Sequence, residues 1–231
     1  MPRSEPPFRG RRRALNREVA LMTWLRRSIF CLLAASVLVC AATATASVPS
    51  SSGGVGGCGH YRFGSRTLAL GDCGGDVATL NWLLRAKASS SVGLGSIYDA
   101  STVAAVRDYE RANGLRPNGV FEESTRQSLT GSLPFERSSW YGGRLNGRQT
   151  ACGQTLRRTT VGVANKTLPC GTKVVFGYQG HWLRTQVIDR GPYVKHRDWD
   201  LTEAAADHLH FTGAGVGDLQ VAVLAAYSAG P

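Results

Sequence analysis

Two aspartates in the C-terminal third of the chain, Asp189 and Asp200, have the side chain and the setting for acid/base chemistry. Asp189 follows a strand-like run and precedes a Gly-Pro turn, and Asp200 comes just before a helical pattern. A carboxyl group in partly apolar surroundings holds its proton more tightly and can act as a general acid. When such a group protonates a glycosidic oxygen while the sugar's own 6-hydroxyl attacks the anomeric carbon, no water nucleophile is needed. The setting therefore indicates chemistry on a glycan.

Each aspartate also has a structural interpretation. Asp189 could bond the backbone of its turn, and Asp200 could be the N-cap of the helix that follows. Because side chains alternate along a strand, Asp189 is expected on the more apolar face with Leu183 and Val187, while Arg190 points the other way. A second carboxylate in the same cleft would disfavour ionisation of the pair. Functional and structural roles stay open for both residues.

A small β domain is predicted around the two aspartates, over residues 138–226. Two strands are expected to meet at a turn around Gln179-Gly180, and a short alanine-rich helix follows Asp200. One short helix among several strands is typical of a barrel. The expected elements are strands at 173–176, 182–188 and 219–224 and a helix over 202–209.

The preceding part of the chain, residues 58–130, has helical patterns. Helices are predicted to begin near Gly75-Asp76, near Ser101-Thr102 and at Ser124, each with apolar residues at helical spacing. Asn113-Gly114 is typical of a helix C-terminus. Three short helices around a small core predict an all-α domain, and residues 131–137 are predicted to be a connection to the barrel.

Residues 1–46 are predicted to be a secretory signal peptide. Arginines precede an apolar run from Ile29 to Ala42, and small residues follow. A start at Met22 would give a more usual length, and a membrane anchor is the alternative, although the apolar run is short for a bilayer span. A Gly/Ser-rich linker is expected over residues 47–57. The protein is therefore predicted to be secreted, and extracellular or associated with a bacterial cell wall.

The charge of the remaining chain favours a cell-wall partner over nucleic acid. The whole sequence has 27 basic and 16 acidic residues, for a net charge of +11. Residues 1–46 contain eight of those basic and two of those acidic residues, so the remainder has a net charge of +5. A modest positive charge suits an anionic wall surface, and the basic-aromatic pattern of a nucleic-acid module does not occur.

Four cysteines follow residue 46 and fall in two local pairs. In an oxidising compartment, Cys58 with Cys73 and Cys152 with Cys170 are predicted to form one disulfide in each domain. A metal site built from the four thiolates is the weaker alternative because no CxxC spacing occurs. The sequence predicts no metal and no cofactor.

Residues 66–130 contain an ordered set of cap, turn and core motifs. The set is Leu70-Gly71-Asp72, Gly75-Asp76-Val77, Leu80-Asn81, Val106-Arg107-Asp108-Tyr109-Glu110, Gly114-Leu115, Asn118-Gly119-Val120, Thr125 and Leu129. Together these motifs resemble the peptidoglycan-binding domain of cell-wall hydrolases, which implies a helical fold and a peptidoglycan ligand. Asn81 and Tyr109-Glu110 depart from the Gln and Phe-Gln usual in that family. A helical spacer is the alternative.

A second ordered set of motifs covers residues 138–224. It comprises Ser139-Trp140-Tyr141-Gly142, Thr150-Ala151-Cys152-Gly153, Thr167-Leu168-Pro169-Cys170-Gly171-Thr172, Asp189-Arg190-Gly191-Pro192-Tyr193 and Asp200-Leu201-Thr202. This set resembles the rare-lipoprotein-A family. The resemblance implies a six-stranded double-psi β-barrel, a fold shared with expansins and a class of lytic transglycosylases, and it makes the glycan strands of peptidoglycan the expected partner.

The resemblance also implies catalytic roles, and only part of the family's set is present. Asp189 matches the family's acid/base, with Asp200 assisting. Three other positions differ, because Gln154 replaces Glu, Arg157 replaces Asp and Asn165 replaces His. Gln and Asn can hold sugar hydroxyls but cannot exchange protons. Two hypotheses follow: a lytic transglycosylase, and a non-catalytic, expansin-like protein that binds or loosens the wall. An inhibitor or structural protein unrelated to glycan is a third.

Seven further residues are candidates for contacts with the glycan. Their aromatic rings could stack on sugars, although aromatic residues near a small barrel are equally expected in its core. The polar members could bind hydroxyl groups. These candidates are Trp140, Tyr141, Gln154, Asn165, Arg190, Tyr193 and Trp199.

Overall fold

The computed structural model describes residues 58–87 and 91–224. These residues form three helices followed by a six-stranded barrel that contains one further α-helix. Within them, no helix combines the length and apolarity needed to cross a bilayer. The predicted signal peptide, the linker of residues 47–57 and the last two residues of the predicted barrel lie outside the described residues.

The N-terminal domain is helical, as predicted. Its helices are α1 (Gly75–Lys87), α2 (Ala100–Ala112) and α3 (Glu123–Gly131). The N-cap of α2 is Asp99, whose carboxylate accepts the backbone N–H of Thr102 at 3.0 Å. Asn113 is the C-cap of the same helix. The predicted disulfide between Cys58 and Cys73 is present and closes the segment that leads into α1.

The C-terminal domain is a closed barrel of six strands, which confirms the predicted architecture. The strands are β1 (Phe135–Tyr141), β2 (Val163–Ala164), β3 (Lys173–Tyr178), β4 (His181–Asp189), β5 (Trp199–Thr202) and β6 (Val216–Val223), and α4 (Glu203–His208) follows β5. Their order around the barrel is β1-β5-β2-β4-β3-β6, with β1–β5 and β2–β4 parallel and the other neighbours antiparallel. Closure leaves no sheet edge open.

Alternation along the strands gives the protein two apolar cores. In β3, Val174 and Phe176 point into the barrel, whereas Val175 between them packs among the side chains of the helical domain. Ala222 of β6 joins Val175 on that outer face. The barrel wall is therefore shared, with one core inside it and a second between the wall and the helices.

The segment predicted as a connection, residues 131–137, is part of the folded structure. Leu133 is buried with the helices, and β1 begins at Phe135, whose partner is Gln220 of β6. The sequence did not indicate this because Phe135 is 68% exposed, so the first residues of β1 lack an alternating apolar pattern. The two domains are therefore packed together, and no flexible tether separates them.

Candidate active site

Four neighbouring strands bring Asp189 and Asp200 to one level of the barrel. Ser139 of β1 is the register partner of Asp200 in β5, and Ala164 of β2 is the partner of both Asp200 and Asp189 of β4. The small side chain of Ala164 therefore lies between the two carboxyl groups in the row. With neighbouring strands about 4.8 Å apart, the Cα atoms of the two aspartates are about 10 Å apart.

Tyr141, at the end of β1, lies beside the carboxyl group of Asp189. Its hydroxyl donates a hydrogen bond to Oδ2 of Asp189 at 3.2 Å. Burial, followed by the charge and hydrogen bond of Asp189 and the charge of Asp200, raises the pKa of Tyr141. The phenol is therefore a hydrogen-bond donor to Asp189 at neutral pH.

Asp189 is anchored through one of its oxygens. Oδ1 accepts the backbone N–H groups of Ala151 and Arg190, each at 2.8 Å. The bond to Arg190 is the backbone contact that the structural interpretation predicted. Oδ2 has the Tyr141 hydroxyl as its protein partner. Asp189 thus has a fixed orientation with one oxygen less engaged than the other.

Asp200 is half-buried and has a single hydrogen bond from a side chain, which Ser139 donates to Oδ1 at 2.7 Å. Burial raises the pKa of Asp200 and the charge of Asp189 adds to this, while the Ser139 bond and the charge of Arg197 act in the opposite direction. The N-cap interpretation of Asp200 is wrong, because the Thr202 hydroxyl caps α4 by accepting the N–H of Ala205 at 3.3 Å.

Arg190 and Asn165 organise the loops beside the site. The Arg190 guanidinium donates to the backbone carbonyls of Asn165 and Asp189, each at 3.4 Å, so it lies away from the Asp189 carboxylate, as alternation predicted. The Asn165 side chain accepts the N–H groups of Thr167 and Leu168 and donates to the carbonyl of Asp198. Its carboxamide therefore shapes a turn, which leaves little capacity for a sugar hydroxyl.

The loop containing Gln154 is fixed next to Asp189. The predicted Cys152–Cys170 disulfide is present, and the N–H of Cys152 donates to the carbonyl of Ile188 at 3.3 Å. Gln154 and Arg157 are both exposed on this loop. Arg157 is a positive charge at a position where the resemblance leads one to expect a carboxylate.

The aromatic candidates divide into core and surface residues. Trp199 is 1% exposed, packs against Phe176 and donates its ring N–H to Glu136, so the expectation that it stacks on a ligand is wrong. Trp140 packs against the same core and donates to the carbonyl of Thr212 at 3.1 Å. Tyr193 is 86% exposed directly after the Gly-Pro turn. The stacking surface is therefore limited to Tyr193 and the half-buried Tyr141.

Sequence reasoning missed Ser139, Ala151 and Ala164 as parts of this site. Ser139 and Ala151 occur in the matching motifs, but only the folded arrangement shows that one bonds Asp200 and the other Asp189. Ala164 lies in a strand of two residues, which is too short for any periodic signal. Within residues 58–87 and 91–224, no group of three His, Cys, Asp or Glu side chains is placed to hold a metal ion.

Comparison with known families agrees with this architecture. Residues 136–221 match the family described as lytic transglycolase, and residues 73–129 match a peptidoglycan binding domain. Residues 136–221 therefore form a rare-lipoprotein-A-like double-psi β-barrel, and residues 73–129 form a domain of the peptidoglycan-binding type.

Two curated relatives show how far the similarity extends. The chain is 39% identical over 89 residues to the "Probable endolytic peptidoglycan transglycosylase RlpA" of Aquifex aeolicus, covering 38% of this chain and 39% of that one. It is 36% identical over 106 residues to the endolytic peptidoglycan transglycosylase RlpA of Pasteurella multocida, covering 45% of this chain and 36% of that one. The match thus spans less than half of each relative.

Among solved structures, a Streptomyces papain inhibitor aligns over 42% of this chain and 97% of its own, with 24% identity and a TM-score of 0.34. A TM-score this low does not establish a shared function.

Proposed function

We propose that this protein binds peptidoglycan through its helical domain and cleaves the glycan strands at the Asp189–Asp200 site, as a lytic transglycosylase. The observation that carries the proposal is the row in which two carboxyl groups flank Ala164, with the Tyr141 hydroxyl bonded to Asp189. The names of the relatives that match the barrel support the same reaction.

In the proposed reaction the two carboxyl groups work as one acid/base pair. Because burial and the charge of Asp189 raise the pKa of Asp200, Asp200 is the proposed proton donor of the pair. The Asp200 proton goes to the leaving glycosidic oxygen as its bond to the anomeric carbon breaks. The oxygen of the 6-hydroxyl bonds to the anomeric carbon, and Asp189 accepts the proton it loses. The products are a 1,6-anhydro sugar end and a free hydroxyl end, and no water is consumed.

A non-catalytic, expansin-like role is the second candidate. It is favoured by the three departures from the family, above all by Asn165, whose carboxamide is committed to the turn at Thr167 and Leu168. In that role the barrel would hold a glycan strand without breaking it. Such a protein would bind strands as the enzyme does and release no fragments.

The proposed location is outside the cytoplasm, secreted or associated with a bacterial cell wall. Both disulfides are consistent with an oxidising compartment, and the signal pattern of residues 1–46 supports export. Export can be checked by fractionating cells that produce the full chain and locating it with an antibody.

The function is tested by incubating the purified protein with isolated glycan strands and analysing the soluble fragments by mass spectrometry. Transglycosylase activity gives fragments that end in 1,6-anhydro sugars and that disappear in the Asp189→Asn variant. Binding without fragments would overturn the enzymatic proposal in favour of the expansin-like one. Reducing ends without anhydro sugars would indicate hydrolysis and contradict the proposed chemistry.

A further inference from the structure

A hairpin next to the candidate active site carries four exposed arginines. Its two arms, residues 147–150 and 154–156, pair Gln149 with Thr155. Leu156 donates its backbone N–H to the carbonyl of Arg148, and its own carbonyl accepts the N–H of Gly147, both at 2.8 Å. We call residues 144–158 the arginine hairpin, and its exposed arginines are Arg144, Arg148, Arg157 and Arg158.

The arginine hairpin is attached to the end of β4. At its tip the N–H of Ala151 donates to Oδ1 of Asp189 at 2.8 Å, and the Cys152–Cys170 disulfide adds a covalent link to the barrel. Three residue steps separate Ala151 from Arg148, which is a distance of at most about 10 Å in extended chain. The arginines therefore border the candidate active site without forming part of it.

The charge of the arginine hairpin is not balanced by acidic side chains. No Asp or Glu occurs between Glu136 and Asp189, a stretch that contains eight Lys and Arg residues. No ion pair within the described ranges involves an arginine of the hairpin, whereas four arginines elsewhere in those ranges are each paired with a carboxylate. The carboxylate of Glu203, near the start of the hairpin, accepts the backbone N–H of Gly143 at 3.4 Å. Four like charges on one anchored loop produce a local positive field that attracts anions.

The chemistry of these side chains suits phosphate. All four are arginine rather than lysine, and a guanidinium presents paired N–H donors in one plane that match two oxygens of a phosphate group. Four such groups on one short loop suit a polymer with an anion in every repeat unit, because several contacts can then form at once. An unsubstituted glycan strand has at most one carboxylate in each disaccharide, so it engages fewer of the four.

We propose that the arginine hairpin binds phosphodiester-linked polymers of the cell wall, in which sugar or polyol units are joined through phosphate. The proposal adds a second ligand to the proposed function and depends only on its cell-wall location. A polymer seated on the hairpin keeps the barrel close to neighbouring glycan strands, and so raises the effective concentration of those strands at Asp189 and Asp200.

A polymer fits the arginine hairpin better than an anionic membrane surface does. Binding at a membrane interface normally needs apolar side chains that enter the lipid next to the basic ones. Within the hairpin, all of which the structure describes, Leu145 is the one large apolar side chain that is exposed, at 38%. The hairpin is therefore a polar, charged surface, and lipid binding is an outcome that the test must separate.

The test is a calorimetric titration of the full chain with soluble poly(glycerol phosphate). Binding should weaken as salt is added, because contacts between exposed charges are screened. Arg157→Gln is expected to weaken binding about 3-fold, and so is Arg148→Gln, since each removes one exposed charge contact. The two substitutions combined are expected to weaken binding about 10-fold, because they act on separate side chains.

Two further variants serve as controls. Arg116→Gln removes the same charge from an exposed arginine of the helical domain, which forms no ion pair in the described ranges, and should leave binding unchanged. Arg157→Lys keeps the charge but lacks the paired donors, so it is expected to recover only part of the affinity that Arg157→Gln loses.

Five outcomes would overturn the proposal. Two concern the polymer itself: no binding by the wild type, or binding that salt does not weaken. A third is a double variant that binds as tightly as Arg116→Gln. The last two are equal affinity for poly(glutamate) of matched charge, and tighter binding to phosphatidylglycerol vesicles than to the polymer.

Fragment release from phosphate-free glycan strands is measured separately by mass spectrometry. A wild-type protein that binds the polymer through the hairpin but releases no fragments overturns the catalytic proposal and supports this one. Fragment release without polymer binding has the opposite meaning, so the failures of the two proposals are distinguishable.

Discussion

The carboxyl groups of the helical domain and those at the end of the barrel differ in how many partners they have. In the helical domain Asp76, 1% exposed, is ion-paired with Arg66 at 2.8 Å, and Glu110, 0% exposed, accepts the N–H of Gly119 and the hydroxyl of Thr125. At the barrel end Asp189 and Asp200 lie in one row, and no ion pair in the described ranges involves either. The buried carboxylates of the helical domain are fully partnered, whereas the pair proposed for catalysis retains capacity for a ligand.

Removing a carboxylate from the barrel end should therefore affect activity far more than stability. Asp189→Asn is expected to lower the rate of glycan cleavage by about 10² to 10⁴-fold, because the amide cannot accept the proton of the 6-hydroxyl. The free energy of unfolding should change by less than about 1 kcal/mol. Initial rates of fragment release and urea unfolding measure the two effects.

Asp218→Asn is the matched control for Asp189→Asn. Asp218 pairs with Arg137 on the exposed surface of the barrel, so its loss should change neither activity nor stability measurably. A rate for Asp189→Asn equal to that of Asp218→Asn would show that Asp189 is a turn residue only.

Removing a carboxylate from the helical domain should have the opposite effect. Asp76→Ala leaves the Arg66 guanidinium without its main partner and is expected to cost about 2 to 3 kcal/mol of unfolding free energy. The cost stays below that of a fully buried pair because the Arg66 side chain is 27% exposed. Urea denaturation measures the loss, and activity per folded molecule should be unchanged.

Asp108→Ala provides the comparison on the same domain. Asp108 pairs with Arg111 one turn away on the exposed face of α2, and such a pair contributes about 0.5 kcal/mol or less. If Asp76→Ala and Asp108→Ala cost the same, burial does not distinguish a structural carboxylate from a surface one in this domain.

Asp200→Asn is expected to abolish cleavage activity and to change the pH dependence of the free energy of unfolding. Since the pKa of Asp200 is raised in the fold, the folded state holds this proton more tightly than the unfolded chain does. Its contribution to stability is therefore present at low pH and is lost as the pH rises through the folded pKa. The variant cannot ionise at this position, so it does not lose stability as the pH rises. Its amide oxygen can still accept the hydrogen bond from the Ser139 hydroxyl.

At neutral pH we therefore expect Asp200→Asn to be as stable as the wild type or slightly more stable, while its cleavage activity is lost. The stability difference should disappear below the ordinary carboxyl range. Thermal unfolding followed by circular dichroism between about pH 3 and about pH 7 measures it. A variant that is less stable relative to wild type at the neutral end than at the acidic end would contradict the expected direction of the effect.

The smallest expected effect concerns His181, the first residue of β4. Its lowered pKa means that the unfolded chain takes up the proton first, so stability declines as the pH falls from the ordinary histidine range towards the folded pKa. His181→Gln should flatten this decline by a small amount, because the side chain is partly exposed. Unfolding curves at about pH 7 and about pH 5 provide the comparison, and an unchanged slope would contradict the assignment.

Much of the fold could be predicted because its signals are local. Caps and apolar spacing indicated the three helices, and the turn at Gln179-Gly180 joins β3 to β4 with φ angles of 47° and 80°, as expected for a tight hairpin. The double-psi barrel was predicted from the family resemblance of the motifs. Hydrophobic periodicity could not predict it, because a strand of two residues such as β2 is too short to show alternation. The start of β1 at Phe135 was missed because its first side chains are exposed and give no alternating apolar pattern. The strand is defined there by backbone pairing with β6, which the sequence does not reveal.

The candidate site was predicted in composition but not in arrangement. Asp189 and Asp200 could be named because each follows or precedes a recognisable element, but their common row depends on the register of β2 between them, which is a long-range property. Trp199 was misassigned because a buried and an exposed tryptophan look alike in a sequence.

The most direct test of the paired carboxyls is a ¹³C NMR titration of the Asp200 carboxyl group in the wild type and in Asp189→Asn. If burial and the charge of Asp189 act on Asp200 as proposed, Asp200 titrates above the ordinary pKa of an aspartate, and removing the charge of Asp189 lowers that pKa while burial keeps it raised. An Asp200 that titrates at its ordinary value in both proteins would contradict the proposed acid/base pair.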